Sequence, residues 1–263
     1  MLVSAAVCPS PPLLVPAVAA GAAPELDGAR AACADALGVL AAARPDRLVV
    51  VGPAEAGAGG AGAGGAGAHA QGAVGSFRGF GVEVDVVLGA AGPRGAGTAD
   101  SAKADSAPEG AGHRSGPALP ASLAVAAWLL DHVRWSAAPV SGLAVDGTLA
   151  TDRCVLAGRE IAAGADRVAL LVMGDASACR TLKAPGYLDD RADGFDAAVA
   201  AALAAADGAA LTALDVGLAS ELKAAGRAPW QVLAGAAEGA GLGGALLYEE
   251  APYGVGYLVA TWS

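Results

Sequence analysis

The sequence predicts an α/β layered domain, a central mostly parallel or mixed β-sheet flanked by helices, running through residues 1–263 as one unit. Three observations carry this. Apolar runs of strand length recur at Leu2–Val7, Arg47–Gly52 and Arg167–Met173. Helical spacing between them sets strand, helix and strand in the order of a parallel βαβ unit. The chain has 263 residues and is 55% hydrophobic, but 72 alanines supply about half of that fraction and 39 further residues are glycine. Large core side chains are therefore few, and the elements must approach one another closely.

Leu2–Val7 reads as a buried strand, ended by the rigid Cys-Pro-Ser-Pro-Pro segment. A helix is expected over Pro24–Ala43, with Pro24 and Glu25 in its first turn and Leu26, Cys33, Leu37 and Leu40 on one face. Arg47–Gly52 follows as a second buried strand. Residues 54–75 are nearly pure Gly and Ala, too poor in apolar area to offset the entropy of ordering them, and are expected to be a floppy loop. Val82–Leu88 alternates as a half-buried strand does, and residues 89–118 form a second low-complexity loop. Neither flanking half looks self-sufficient, so both loops interrupt one domain.

Regular structure resumes with a helix over Pro120–Val133, whose Leu123, Ala127 and Leu130 share one side, and a strand near Val140–Val145. Thr151 or Asp152 is placed to cap a helix reaching Ala163. Arg167–Met173 is the strongest strand. After Asp189 or Asp190 as an expected N-cap come three helices, Phe195–Ala206, Ala209–Ala225 and Pro229–Glu238. Ala245–Tyr248 and Val255–Thr261 are the closing strands, about seven in all.

Composition excludes several functions. The net charge of −10, with no cluster of Lys or Arg, gives no footprint for nucleic acid. No run of large apolar residues is long enough for a membrane span, despite a mean hydropathy of +0.50. The first 24 residues carry no charged side chain, and four prolines (Pro9, Pro11, Pro12, Pro16) break their apolar run, so no secretory signal is expected. Cys8, Cys33, Cys154 and Cys179 form no CxxC pair, which favours reduced thiols and a cytoplasmic chain. The glycine-rich run 57–67 lacks the Gly-Lys-Ser/Thr ending of a phosphate loop.

In α/β sheets, reactive groups collect in the loops that leave the carboxyl ends of strands. Here these are Cys8–Pro12, Gly52–Glu55 and Gly174–Cys179. Asp175 and Ser177 are the catalytic candidates: a carboxylate there can do acid/base work or anchor a ligand hydroxyl, or it can cap its own turn. Cys8, Ser10, Pro53, Glu55, Glu249 and Tyr253 are expected to line a strand-end pocket for a small-molecule ligand. Cys8 and Cys179 could be neighbours, yet without a partnering histidine neither thiol is activated.

The segments VCPSPPLLVP, LVVVGP, LLVMGDAS and YGVGYLVATW, in this order and spacing, resemble the class III extradiol ring-cleavage dioxygenases, a superfamily that includes the Memo-like proteins. The resemblance implies a non-haem Fe(II) held by two histidines and one carboxylate, with open positions for a catechol and dioxygen. It also implies that Ser10 stands where the first histidine ligand belongs, Ala54 where the second does, and Ala178 where a further catalytic histidine follows Asp175 and Ser177. Glu249 or Glu250 is the candidate for the carboxylate. Neither a hydroxyl nor a methyl group replaces an imidazole nitrogen on iron, so no metal or cofactor is expected. The three histidines, His69, His113 and His132, fall outside the strand-end loops and are expected to be solvent-facing or partly packed. The family's dioxygenases often need a second, different chain; here nothing marks an interface, and a homo-oligomer through the 195–238 helices is open but unsupported.

Overall fold

The computed structural model describes residues 1–55, 65–89 and 118–263. Seven strands form one mixed sheet: β1 (Leu2–Cys8), β2 (Arg47–Pro53), β3 (Ala66–His69), β6 (Val140–Val145), β7 (Val168–Met173), β8 (Gly244–Glu250) and β9 (Tyr257–Trp262). They lie in the order β3-β6-β2-β7-β1-β9-β8, while β4 (Val74–Ser76) and β5 (Asp85–Val87) pair separately. The central strands β6, β2, β7 and β1 are mutually parallel; β3, β9 and β8 join through antiparallel pairings.

Strand alternation divides the core into two layers. Val7, Val51, Leu170, Val172 and Ala260 face one, and Ala6, Cys8, Val50, Leu171, Met173 and Val259 face the other. The second layer is covered by α2 (Asp27–Ala42) and α3 (Ala121–His132), after the short α1 (Pro16–Ala19). The first is covered by α4 (Thr151–Ala163), α5 (Ala192–Ala204), α6 (Gly208–Thr212), α7 (Val216–Glu221) and α8 (Arg227–Ala236). Helices α2 and α3 carry the chain outward from β1 to β2 and β6, and α4 returns it to β7 on the opposite face. Constant crossover handedness requires that change of face when the direction reverses.

Alanine-rich helices pack with little space between them. A methyl at Gly158 of α4 would lie 2.0 Å from the Val232 carbonyl oxygen, and one at Gly235 of α8 would lie 2.1 Å from that of Val155. Asp207 caps α6 by accepting the Ala210 N–H at 2.9 Å, and Asp215 caps α7 by accepting that of Leu218 at 2.7 Å.

Several sequence expectations change. Residues 66–69, expected to belong to a floppy loop, are the edge strand β3 paired with β6. Their small side chains let His69 pack against Gly142, where an added methyl would lie 3.3 Å from the His69 Cβ. His69 is accordingly buried rather than solvent-facing. The first long helix begins at Asp27, because residues 20–26 form a 3₁₀ turn that contains Pro24. Thr151 is the first residue of α4 and neither it nor Asp152 caps it; the N-cap is Ala150. Asp189 accepts the Arg191 N–H at 3.0 Å, closing a turn ahead of α5 rather than capping it. The expected helix over 209–225 is two short ones, α6 and α7. His113 and much of the two Gly/Ala loops lie outside the described residues.

Candidate functional site

The parallel arrangement brings the carboxyl ends of β1, β2, β6 and β7 to one edge of the sheet. Register places Ser10, two residues past Cys8, beside Asp175, two residues past Met173. The antiparallel β9 brings its first residue, Tyr257, to the same level on the other side of β1. Five of the expected residues gather along this edge: Cys8, Ser10, Pro53, Glu55 and Asp175.

Asp175 is half-buried, and its Oδ1 accepts the backbone N–H of the buried Ser10 at 2.7 Å. Among the described residues nothing donates to Oδ2. Burial pushes the carboxyl up to about 6, against the opposing effect of the Ser10 hydrogen bond. Tyr257 is 2% exposed, and its hydroxyl has no hydrogen-bond partner among the described residues. Burial first, then the neighbouring Asp175 carboxylate and Tyr253 and Tyr248, push its phenol well above the usual range. Sequence reasoning missed Tyr257 because it lies within an apolar strand. The available signal was its place at the amino end of a strand antiparallel to β1.

Two more tyrosines frame the site from β8 and the turn that follows. The Tyr253 hydroxyl donates to Glu25 Oε2 at 2.9 Å, and the Tyr248 hydroxyl donates to Glu250 Oε2 at 3.1 Å. Burial and the Glu250 carboxylate push the Tyr248 phenol up to about 12. Glu249, opposite Leu258 on the edge strand, is exposed.

The remaining candidates have other occupations. Ser177 is fully buried and turned to the other layer: its N–H and Oγ donate to Asp196 Oδ1 and Oδ2 at 2.8 and 2.9 Å, and Arg180 completes the cluster at 3.0 Å from Oδ2. Asp196, 2% exposed, is a polar helix residue that no sequence pattern singles out. Glu55 accepts the Ala121 N–H at the start of α3 at 3.0 Å, and the Pro53 carbonyl accepts from Ser122 Oγ at 2.7 Å. The Cys8 thiol meets Cys33, not Cys179, because Cys8 and Cys33 share one core layer and Cys179 belongs to the other. That contact and burial hold the Cys8 thiol well above the ordinary thiol range.

The iron centre implied by the resemblance can be tested against these residues. The Ser10 N–H is committed to Asp175, and the Ala54 N–H to the Val145 carbonyl at 2.8 Å. Ala178 is buried, with its N–H on Leu222 and its carbonyl accepting from Gly186. His132 is exposed and stacks on Trp128 at 5.2 Å. Among the described residues, no three of His, Cys, Asp and Glu converge as metal ligands. The described residues do not fit a centre of two histidines and one carboxylate. Among the described residues, no helix is long and apolar enough to cross a membrane.

No family of known proteins matches the chain, and no curated protein matches it. Among solved structures, the crystal structure of an uncharacterized protein, JW3007, from Escherichia coli K12 is similar over 99% of this chain and 100% of that one, at 14% sequence identity and a TM-score of 0.48.

Proposed function

We propose that this protein is a divergent, extradiol-dioxygenase-like protein that binds a small ligand at the strand-end site and does not carry out Fe(II)-dependent ring cleavage. The observation that carries the reading is Asp175: a desolvated carboxyl group at the carboxyl edge of the sheet, with one oxygen held by Ser10 and, on the other side of β1 at the same level, the buried Tyr257, whose hydroxyl has no partner among the described residues. A carboxyl raised to about 6 both donates and accepts near neutrality, and perturbed carboxyls of this kind cluster at functional sites. A cytoplasmic setting belongs to the same reading, supported by four free, buried cysteines.

The deciding measurement is metal content of the purified protein, followed by oxygen consumption with catechols after anaerobic loading with Fe(II). Background oxygen uptake is expected. Stoichiometric iron with turnover would overturn the non-catalytic reading in favour of a dioxygenase with other ligands. Asp175→Ala then tests the site itself: loss of binding of the same catechols, with the fold retained, is the expected result. Unchanged binding would return Asp175 to a turn-capping role.

A further inference from the structure

The chemistry of the groups around Asp175 selects among ligands by charge. The strand-end site presents one carboxyl, Asp175, with Tyr257 in its electrostatic reach; Tyr253 and Tyr248 lie in turn within reach of Tyr257 and carry Glu25 and Glu250 on their hydroxyls. Both rim phenols already spend their protons on rim carboxylates, so what they offer a ligand is oxygen lone pairs and ring faces. No lysine or arginine among the described residues acts on Asp175 or on any of the three tyrosines. An anion entering here would meet carboxylates, while Arg30, on the segment that carries Glu25, is committed to the Leu14 and Ala23 carbonyls and to Asp27.

We infer that the site takes an organic cation, a primary ammonium group seated on Asp175 Oδ2 with its hydrocarbon against the tyrosines, in preference to a neutral or anionic ligand of the same shape. This rests on the reading of Asp175 as a ligand site. The independent support is Tyr257, a side chain 2% exposed whose hydroxyl lacks a partner among the described residues and which register sets at the level of Ser10, in the electrostatic reach of Asp175. Its oxygen accepts a second ammonium proton, and tyrosine rings attract a cation through their faces. A desolvated carboxyl that is costly to ionise alone recovers that cost when an opposite charge binds beside it.

The test uses the full chain and three near-isosteric probes, benzylammonium, benzyl alcohol and benzoate, titrated at pH 7.5 and followed by calorimetry and by NMR signals of the strand-end residues. Benzylammonium is expected to bind at least tenfold tighter than benzyl alcohol, with benzoate weakest. Asp175→Asn should reduce the amine-to-alcohol ratio to near one, Tyr257→Phe should weaken the amine severalfold, and Glu238→Gln, at an exposed ion pair with Arg159 of α4 on the helices of the opposite layer, should change neither. If benzyl alcohol binds as well as the amine and perturbs the strand-end signals, the cation preference is overturned while the ligand site stands. If amine binding survives Asp175→Asn, the net charge of the chain attracts it and the inference fails. If none of the probes moves those signals, the site reading and the inference fall together.

Discussion

Asp175→Asn should stabilise the protein, and only above the pH at which the unfolded chain's carboxyl ionises. The group's ordinary value is 3.8, and burial raises it to about 6 in the folded chain. The native state therefore holds this proton more tightly than the unfolded chain does. Below about pH 4 both states are protonated and the group costs nothing; between about pH 4 and 6 the unfolded chain ionises while the native group holds its proton, so stability is lost, and above about 6 the loss is constant. That rise corresponds to about 3 kcal/mol. Because Asp175 keeps part of its surface in water, screening brings the expectation to about 1–3 kcal/mol. Asparagine stays neutral at every pH and still offers Oδ1 to the Ser10 N–H. Urea denaturation of both proteins from pH 3.5 to 8, with urea keeping the chain dissolved near its pI of 4.6, should show curves that meet at acid pH. They should separate in favour of the variant by about 1–3 kcal/mol at pH 8. A variant less stable at pH 8, or a difference independent of pH, would refute the assignment of a desolvated carboxyl.

Other consequences follow from the same geometry. Gly235→Ala drives a methyl into the Val155 carbonyl, where backbone cannot yield cheaply; a loss of about 2–4 kcal/mol is expected in the same denaturation assay. Asp196→Ala leaves the buried Ser177 N–H and hydroxyl without their acceptor and leaves Arg180 with Asp193 alone, which should cost about 2–3 kcal/mol, whereas Ser177→Ala should cost about 1 kcal/mol. Since Ser177 faces the other layer, that alanine variant should retain probe binding at Asp175, and lost binding with an intact fold would restore Ser177 to the site. All four cysteines are buried, so a chromogenic disulfide reagent should titrate less than one thiol in the native protein and four after denaturation; rapid native reaction would contradict the packing of Cys8 against Cys33.

What the sequence disclosed depended on where hydrophobic contrast existed. Val and Leu runs announced β2 and β7, and the spacing of Leu26, Cys33, Leu37 and Leu40 announced the covering helix, since all four are buried. Strand β3 had no such contrast. Its four residues pair through backbone hydrogen bonds with β6, and a ladder of this kind needs no large side chains, so Gly and Ala read equally well as loop or strand. The site was legible through topology: parallel strands bring Ser10, Pro53 and Asp175 to one edge whatever their local propensities. Face, however, is set by alternation carried past each strand's last paired residue, and that could not be counted without knowing where the strands stop. Cys8 ended in the layer that α2 and its Cys33 cover and Cys179 in the other for this reason, and Asp175 parted from Ser177. Tyr257 adds the converse case. A polar group hidden in an apolar strand becomes a site residue only once its neighbour is known to run antiparallel, which brings its first residue to the carboxyl edge where the parallel strands end. The charge preference inferred for the site depends on that reversal, because it puts a tyrosine rather than a solvated loop level with Ser10 and in the electrostatic reach of Asp175.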